Sequence, residues 1–332
     1  MAMKGKKIFV TGADGFIGSH LTEMLVREGA RVKALVFHNA FSRWGWLDDL
    51  APEILREAEI VDGDICDPDA MRILIKGSEI VFHLAALIAI PFSYIAPRAY
   101  VRVNIEGTIN VLQAALQASV NRVVHTSTSE VYGSAQQIPM PETHPLNAQS
   151  PYAASKIAAD QMALSIHRSL QAPVTILRLF NTYGARQSTR AVIPTIITQA
   201  LKPGNKIILG DTRPTRDFLF VEDTVRAFLA IAEAPKVEGS IIGVGTGRET
   251  QIGEVVEHVG AILGKNLVVT QARHKVRPEK SEVTRLCCDA SRARQLLGWQ
   301  ATTPLREGLA KTIEWFRTHP DVMRPDNQTW LS

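Results

Sequence analysis

The sequence predicts an α/β protein built on a doubly wound parallel sheet, followed by a smaller α/β domain. Short apolar runs alternate with helical patterns through the first 180 residues, as strand–helix–strand units with right-handed crossovers require. These runs are apolar throughout rather than alternating, which is typical of strands buried on both faces. A glycine-rich turn directly follows the first run and opens the first helical pattern. The three observations together predict the parallel sheet.

The predicted elements follow one another in a regular order. Strands are predicted at 7–10, 32–37, 80–84, 122–126 and 174–179, with a further strand ending near Asp64. Helices are predicted at 20–28, 99–118 and 151–170. A helix at 221–232 and an apolar run at 240–244 are predicted to return to the first sheet, and a last helix is predicted at 303–316.

The chain has 332 residues, more than one hydrophobic core usually serves, so two domains are expected. Residues 1–180, with 218–245 returning, are predicted to form the first domain, and 181–217 with 246–332 the second. The composition is 45% hydrophobic and 21% charged, as in globular proteins. The net charge of +4 is scattered and includes no long basic run. A small anionic ligand is therefore expected, and no nucleic acid.

The cysteines Cys66, Cys287 and Cys288 have neither metal-ligand spacing nor the pattern of a disulfide framework. A reducing, cytoplasmic location is therefore expected. The longest apolar stretch, 80–90, is shorter than the ~20 residues of a membrane-spanning helix, and the first residues lack the apolar region of a signal peptide. We therefore expect no membrane insertion. We also expect no metal, because the acidic residues at 217–223 have no accompanying histidine.

The glycine turn has the pattern Gly12-Ala-Asp-Gly-Phe-Ile-Gly18 between the first strand and the first helix. Glycines in this position permit a sharp turn and a close backbone approach, and the helix N-terminus attracts a pyrophosphate. The context predicts a Rossmann-type domain with a bound dinucleotide, although the spacing is GxxGxxG rather than GxGxxG. The residues of the turn predicted to contact the cofactor are Gly12, Asp14, Gly15, Phe16, Ile17 and Gly18.

An acidic residue that would bind the adenosine ribose is missing after the second strand. His38 and Asn39 stand there instead and are predicted to hydrogen-bond the ribose, while Arg43 could approach a 2′-phosphate. NAD is therefore favoured, and NADP stays open. Asp64 and Ile65 are predicted to reach the adenine; a turn aspartate is an equally good interpretation of Asp64.

Tyr152 and Lys156 lie four residues apart in a helix that starts with a serine N-cap and a proline at 150–151. Such a pair alone is usually a surface feature; after a dinucleotide turn it is predicted to be catalytic and to contact the cofactor. An ammonium group beside a phenol favours the phenolate, so Lys156 is expected to lower the pKa of Tyr152 from about 10. The phenolate can then take a proton from an alcohol while a nicotinamide takes the hydride.

The ordered motifs resemble those of the extended short-chain dehydrogenase/reductase superfamily, and within it the nucleotide-sugar dehydratases, epimerases and decarboxylases. The resemblance spans essentially the whole chain. Its motifs are residues 12–18, His83-Leu-Ala-Ala86, Asn104, Thr126-Ser-Thr-Ser-Glu130, Tyr152 with Lys156, Arg178-Leu-Phe-Asn-Thr-Tyr-Gly184, residues 216–223 and Leu297-Gly-Trp299.

The resemblance implies a role for each matched residue. Thr128 hydrogen-bonds a sugar hydroxyl, Tyr152 is the base, and Lys156 binds the nicotinamide ribose. The other residues implied in cofactor binding are Leu84, Ala85, Ala86 and Asn104, and those implied in holding the sugar diphosphate are Asn181, Arg216 and Arg277. A homodimer formed through the helices at 99–118 and 151–170 is also implied.

Ser129 and Glu130 follow Thr128. A C4-epimerase needs the threonine or serine and the tyrosine, but no additional carboxylate. A 4,6-dehydratase oxidises C4 to a ketone, which acidifies the C5 hydrogen; it then needs a base at C5 and an acid for the departing C6 hydroxyl. Glu130 is predicted to be this base, and Ser129 to assist the hydroxyl. The sequence Thr-Ser-Glu resembles that of GDP-mannose-type dehydratases, but UDP-glucuronate decarboxylases share it.

The runs at 84–97, 149–156 and 277–282 resemble N-acetylglucosamine nucleotide 4,6-dehydratases of the bacterial legionaminic acid route. Apolar Leu87 and Ile88 are predicted to line the sugar pocket, which suits an N-acetyl methyl group better than a carboxylate; a buried loop is the simpler alternative. The favoured function is dehydration of UDP- or GDP-N-acetylglucosamine. UDP-glucuronate decarboxylase, C4-epimerase and a non-catalytic NAD(P)-binding sensor remain as alternatives.

Overall fold

The computed structural model describes residues 3–272 and 281–323. The strands are β1 (Lys7–Thr11), β2 (Arg31–Phe37), β3 (Ala58–Gly63), β4 (Ile80–His83), β5 (Arg122–Thr128), β6 (Val174–Leu179), β7 (Asn181–Tyr183), β8 (Lys206–Leu209), β9 (Thr215–Arg216), β10 (Phe218–Phe220), β11 (Ile241–Val244), β12 (Thr250–Gln251) and β13 (Val268–Gln271). The helices are α1 (Phe16–Arg27), α2 (Pro52–Glu57), α3 (Pro68–Ile75), α4 (Ile90–Ile95), α5 (Pro97–Tyr100), α6 (Gly107–Gln117), α7 (Pro151–Leu170), α8 (Val192–Ala200), α9 (Val221–Glu233), α10 (Ile252–Leu263), α11 (Ser291–Leu297) and α12 (Leu305–Thr318).

Seven strands form the main sheet in the order β11-β6-β5-β4-β1-β2-β3, and every pair is parallel. Alternate residues of each strand enter opposite cores; in β1, for example, Ile8 and Val10 face one core and Phe9 the other. The predicted doubly wound sheet, buried on both faces, is therefore confirmed. The strand order reverses between β1 and β4, and ligands of such sheets bind in the crevice beyond the carboxyl ends at that point.

Between α5 and α6 the chain forms a π-helical stretch, Val101–Glu106, where the sequence predicts one helix over 99–118. The prediction of a continuous helix is wrong here, because buried Asn104 makes hydrogen bonds to distant parts of the chain that helical periodicity does not reveal. Such bulges occur frequently at functional sites. Helix α3 was also missed, although Asp67 caps it and Pro68 occupies its first position, the usual signals of a helix start.

The chain after β6 only partly returns to the main sheet. As predicted for 240–244, β11 pairs with β6 and extends the sheet. In the predicted returning segment 218–245, however, β10 pairs with β7 outside the sheet. The remaining strands form two small pairs, β9 with β12 and β8 with β13. The division into a dinucleotide domain and a substrate domain stays a prediction.

The acidic residues near β10 connect separate loops. The carboxylate of Asp217 accepts hydrogen bonds from Thr246 and from the backbone N–H groups of Gly247 and Cys288. Asp223 similarly accepts hydrogen bonds from residues 302–303. Within residues 3–272 and 281–323, no group of three or more histidine, cysteine, aspartate or glutamate side chains is arranged so that it could hold a metal ion. None of the helices in these ranges has the length and apolar character needed to cross a bilayer.

Candidate active site

The glycine turn lies at the carboxyl end of β1 and leads into α1. Gly12 has φ = 69°, and a Cβ there would lie 2.8 Å from the backbone nitrogen of Ala85. A Cβ on Gly18 would collide with the carbonyl oxygen of Gly12, whereas a Cβ on Gly15 would approach only that same oxygen, at 3.2 Å. No side chain caps the N-terminus of α1. The turn therefore leaves a backbone cradle beside a free helix end, which fits a pyrophosphate.

The other predicted turn residues have different surroundings. The Asp14 carboxylate accepts a hydrogen bond from the backbone N–H of Phe37 at 3.2 Å, and burial raises its pKa. It therefore links the turn to the end of β2. Phe16 and Ile17 open α1 and pack against the core.

The predicted ribose site after β2 is only partly available. Both the oxygen and the nitrogen of the Asn39 side chain bond to backbone groups of its own loop, including Arg43 O at 2.8 Å and Phe41 N at 3.0 Å. Asn39 therefore shapes this loop, and its contact with the ribose stays a prediction. The exposed His38 imidazole lies 4.0 Å from Asp62.

Two more predicted adenine contacts have local partners. The Asp64 carboxylate accepts from the backbone N–H of Cys66 at 2.9 Å, so it forms the turn that was the alternative interpretation. Ile65 is buried against Gly107, and its carbonyl accepts a hydrogen bond from Asn110. Neither observation excludes contact between the backbone of this turn and an adenine ring.

A chain of hydrogen bonds ties β1, β4 and the π-helical stretch together. The Thr11 hydroxyl oxygen accepts from the backbone N–H groups of residues 84–85 and bonds His83 Nδ1 at 2.9 Å. The Nε2 atom of His83 bonds the Thr108 hydroxyl at 3.0 Å, and that hydroxyl donates to the carbonyl of Asn104. This order places the imidazole proton on Nε2. Burial lowers the pKa of His83 well below its ordinary value, so the ring is neutral.

The side chain of Asn104 connects separate parts of the chain, and its contact with the cofactor stays a prediction. Its amide nitrogen donates to the carbonyl of Leu87 and to the hydroxyl of Ser155, both at 2.9 Å, and its oxygen accepts from the N–H of Leu87. Both amide hydrogens are therefore engaged by the protein. Asn104 holds the loop after β4 (84–89, which includes Leu84, Ala85 and Ala86) against the catalytic helix α7.

The predicted catalytic residues come together at the carboxyl end of β5. The strand ends at Thr128, whose hydroxyl caps a short 3₁₀ turn, Ser129–Tyr132, by accepting from the N–H of Glu130 at 3.2 Å. Ser129 is buried and Glu130 half-buried. A hydrogen bond from Thr128 and the charge of Glu130 both act on the phenol of Tyr152. The structure therefore places the Thr128 hydroxyl and the Glu130 carboxylate close enough to influence the tyrosine.

The tyrosine is not the acidified phenol that the sequence predicts. Burial raises the pKa of Tyr152 above its ordinary value; the Thr128 hydrogen bond opposes this rise, and the charge of Glu130 adds to it. The expectation of a lowered pKa is therefore wrong, because desolvation of the phenolate outweighs the Thr128 hydrogen bond. Burial also lowers the pKa of Lys156 to about 8, while Asp160 raises it.

Sequence reasoning missed Asp160, which is fully buried one helical turn beyond Lys156. Its spacing of four residues from the lysine and eight from Tyr152 places all three on one face of α7, and this spacing was the available signal. Tyr100 was missed as well. Its ring contacts that of Tyr152 edge-on, with 6.3 Å between centroids.

Of the other predicted substrate residues, Asn181 lies on β7, Arg216 on β9, and Leu87 and Ile88 on the loop after β4. Arg216 pairs with Glu282 at 2.9 Å, and both side chains are largely buried. Asn181 begins β7, and its side-chain oxygen is buried without a hydrogen-bond partner among the described residues. Arg277 lies outside the described residues. Leu87 packs against the cluster of Ile90, Tyr100 and Tyr152, whereas Ile88 is 68% exposed.

Comparison with known proteins identifies relatives over nearly the whole chain. A family model described as GDP-mannose 4,6 dehydratase matches residues 9–312. A UDP-glucose 4-epimerase of Mycolicibacterium smegmatis is 36% identical over 326 residues, covering 94% of this chain and 98% of that protein. A dTDP-glucose 4,6-dehydratase of an Actinoplanes species is 33% identical over 322 residues, covering 94% and 98%.

A solved structure, MoeE5 in complex with UDP-glucuronic acid and NAD, matches with a TM-score of 0.83 and 32% identity, covering 94% of this chain and 99% of that one. The parallel Rossmann-type sheet agrees with these similarities. The chain therefore belongs to the GDP-mannose 4,6 dehydratase family, among the extended short-chain dehydrogenases/reductases that include nucleotide-sugar dehydratases, epimerases and decarboxylases.

Proposed function

We propose that this protein is an NAD-dependent nucleotide-sugar 4,6-dehydratase acting on UDP- or GDP-linked N-acetylglucosamine. The observation that carries this proposal is the meeting of Thr128, Ser129 and Glu130 with Tyr152 at the carboxyl end of β5. A carboxylate beside the tyrosine supplies the second base that a dehydratase needs and an epimerase does not. A role in surface-sugar synthesis of the legionaminic type belongs to the same proposal.

The cofactor site fits a dinucleotide because a side chain on Gly12 would collide with Ala85, and one on Gly15 would occupy the cradle. The uncapped N-terminus of α1 would hold the pyrophosphate, and Lys156 the nicotinamide ribose. NAD is favoured over NADP, as it is the cofactor named in MoeE5. When bound, the oxidised nicotinamide accepts the C4 hydride, later returns it to C6, and places a positive charge beside the buried phenol.

The first chemical task of the chain is to remove the C4 hydroxyl proton. Tyr152 is the base, and Thr128, which hydrogen-bonds the phenol, orients the same hydroxyl. Lys156 adds positive charge that favours the phenolate form of Tyr152. This charge helps once the cost of burying the phenolate is offset. The C4 carbon becomes a ketone as its hydrogen leaves as hydride.

The second task is elimination. The C4 ketone acidifies the C5 hydrogen, and the Glu130 carboxylate removes it as a proton. Ser129 delivers a proton to the departing C6 hydroxyl, directly or through a water. Once C6 has received the hydride, Glu130 returns its proton to C5. Tyr152 passes the proton that it took from the C4 hydroxyl to Ser129, replacing the proton that Ser129 gave to the departing water, so the enzyme ends in its starting state.

An apolar wall beside the tyrosine supports the N-acetyl assignment. Leu87, Ile90 and Tyr100 pack together next to Tyr152. A carboxylate against these side chains would lose hydration without a partner, whereas a methyl group would be stabilised there. Asn181 and Arg216 are proposed to hold the diphosphate; Arg216 would then exchange its partner Glu282 for phosphate.

Product analysis tests the proposal directly. The protein is incubated separately with UDP-GlcNAc, GDP-GlcNAc, dTDP-glucose and UDP-glucuronate. The molecular mass of each product is then measured by mass spectrometry. We expect one N-acetylglucosamine nucleotide to lose the mass of one water. Loss of carbon dioxide from UDP-glucuronate would contradict the proposal and indicate a decarboxylase. Bound cofactor without turnover of any nucleotide sugar would indicate a non-catalytic NAD(P)-binding sensor.

C4-epimerase is the second candidate, because the relative that is 36% identical carries that name. Tyr152, Thr128 and Lys156 would suffice for it. An epimerase changes configuration at C4 without changing mass, so nuclear magnetic resonance of the recovered nucleotide sugar distinguishes the two reactions.

Gly12→Ala is expected to weaken NAD binding by about tenfold or more, an affinity loss of about 1.4 kcal/mol. The new Cβ would force the turn away from Ala85. Calorimetric titration with NAD measures the change. Gly77→Ala is the matched control, since Gly77 also has a positive φ (82°) but open space around its Cβ position. Equal NAD affinity in the two variants would contradict the assignment of the cradle.

A further inference from the structure

A buried arginine joins several elements behind the catalytic residues. Arg178 on β6 pairs directly with Ser127 on β5, and its side chain is fully buried. Its Nη2 atom donates to the Asp160 carboxylate on α7 at 2.6 Å, and its Nη1 atom donates to the hydroxyl of Tyr132 at 2.8 Å. The chemistry proposed above uses none of these side chains. A charge buried this deeply therefore needs another explanation.

The Asp160 carboxylate balances the charge of the guanidinium and fixes its position. Its Oδ2 atom also accepts a hydrogen bond from Ser127 Oγ at 2.7 Å, and Arg178 Nε donates to the same hydroxyl oxygen at 3.4 Å. Ser127 directly precedes Thr128 in the chain, and Asp160 lies on the helix that carries Tyr152. The cluster of Ser127, Asp160 and Arg178 therefore ties the end of β5 to the catalytic helix.

The remaining arm of the guanidinium reaches the 3₁₀ turn that carries Glu130. Tyr132 is the last residue of this turn, and its side chain is 1% exposed. The guanidinium carbon of Arg178 also lies 4.8 Å from the centre of the Tyr132 ring. The backbone of the turn is bonded within residues 128–133 and to Asn147. The Tyr132 side chain adds a direct connection from the turn to the buried ion pair on β6 and α7.

We propose that Arg178 is a positioning residue that, through the Tyr132 hydroxyl, holds the turn of Glu130 at a fixed distance from Tyr152. The proposal rests on the proposed function, in which these two groups act on adjacent carbons of one sugar ring. A misplacement of about 1 Å caused by a residue away from the chemistry can cost about 10²-fold in rate. The position of Glu130 matters for the elimination, whereas C4 oxidation needs only Tyr152 and its neighbours on β5 and α7.

Tyr132→Phe tests this in the full-length protein. Phenylalanine keeps the buried ring but removes the hydroxyl that Arg178 contacts, while the hydrogen bonds of Arg178 to Asp160 and Ser127 remain. We expect C4 oxidation at close to the wild-type rate, with water release slowed by about tenfold to a hundredfold. Reduced nicotinamide should then accumulate during a single turnover, and its absorbance measures this.

Tyr183→Phe is the matched control. Tyr183 is also 1% exposed, and its hydroxyl donates to the carbonyl of Leu305 instead. Both half-reactions should stay close to wild type in this variant. If Tyr132→Phe slowed both half-reactions equally, or neither, the proposal would be overturned and Arg178 would have a purely structural role. A Tyr132→Phe protein that did not fold would also overturn it, because the hydroxyl would then serve the fold as a whole.

Backbone amide exchange keeps this proposal separate from the proposed function. In D₂O without substrate, peptides covering 128–134 should exchange faster in Tyr132→Phe than in the wild type, whereas peptides covering 151–160 should not. Unchanged exchange at 128–134 would refute the role of Arg178 and leave the product analysis intact. Absence of dehydration with every nucleotide sugar would refute the proposed function and leave the exchange result intact.

Discussion

Tyr152→Phe is expected to stop the reaction at its first step, with turnover reduced by about 10⁴-fold, the upper end of general base effects. Phenylalanine fills the same buried position between Tyr100 and Thr128 but has no oxygen to take the C4 proton. Without C4 oxidation the C5 hydrogen is not acidic, so elimination should also fail. The measurement is the absorbance of reduced nicotinamide during a single turnover, together with product mass.

Tyr183→Phe serves as the control for the loss of a buried hydroxyl. The Tyr183 hydroxyl donates to the carbonyl of Leu305 at 3.2 Å, away from the catalytic residues, so turnover should stay close to wild type. If Tyr152→Phe still oxidised C4 at the normal rate, Tyr152 would not be the base.

Glu130→Gln is expected to separate the two half-reactions. Glutamine keeps the size of the side chain but cannot accept the C5 proton, so C4 oxidation should proceed while water release falls by about 10²- to 10⁴-fold. Because the glutamate charge also raises the pKa of Tyr152, its removal should not hinder the first step. Reduced nicotinamide should then accumulate on the enzyme.

Deuterium exchange measures the role of Glu130 most directly. In D₂O the proton that Glu130 has taken from C5 should exchange with solvent before it is returned, so the wild-type product should carry deuterium at C5, whereas sugar recovered from Glu130→Gln should not. Glu106→Gln makes the same chemical change at an exposed position and should behave as wild type. Water release at the normal rate by Glu130→Gln would show that another group is the C5 base.

Much of the fold could be predicted because its signals are local. Continuous apolar runs indicate strands buried on both faces, and the glycine spacing indicates a tight turn against a neighbouring strand. The π-helical stretch 101–106 could not be predicted in this way. It depends on Asn104 bonding to Leu87 and Ser155, which are 17 and 51 residues away in the chain.

In the candidate site, too, some features could be predicted from the sequence and others could not. Thr128, Ser129, Glu130, Tyr152 and Lys156 were identified from motifs, and the structure brings them to one end of the sheet. Asn39 and Asn104 are predicted to contact the cofactor, and the structure adds hydrogen bonds from their side chains to other protein groups. A motif shows that a polar side chain is present, whereas its partners depend on loops that fold back from elsewhere.

By itself the sequence determined the parallel sheet, the dinucleotide turn and the residue types at the catalytic end of β5, because short-range sterics and hydrophobic periodicity decide these features. Only the tertiary structure decided the electrostatics: burial raises the pKa of Tyr152 and lowers that of Lys156. Desolvation and Coulomb energies depend on distances between groups on separate strands and helices, and those distances exist only once the chain has folded.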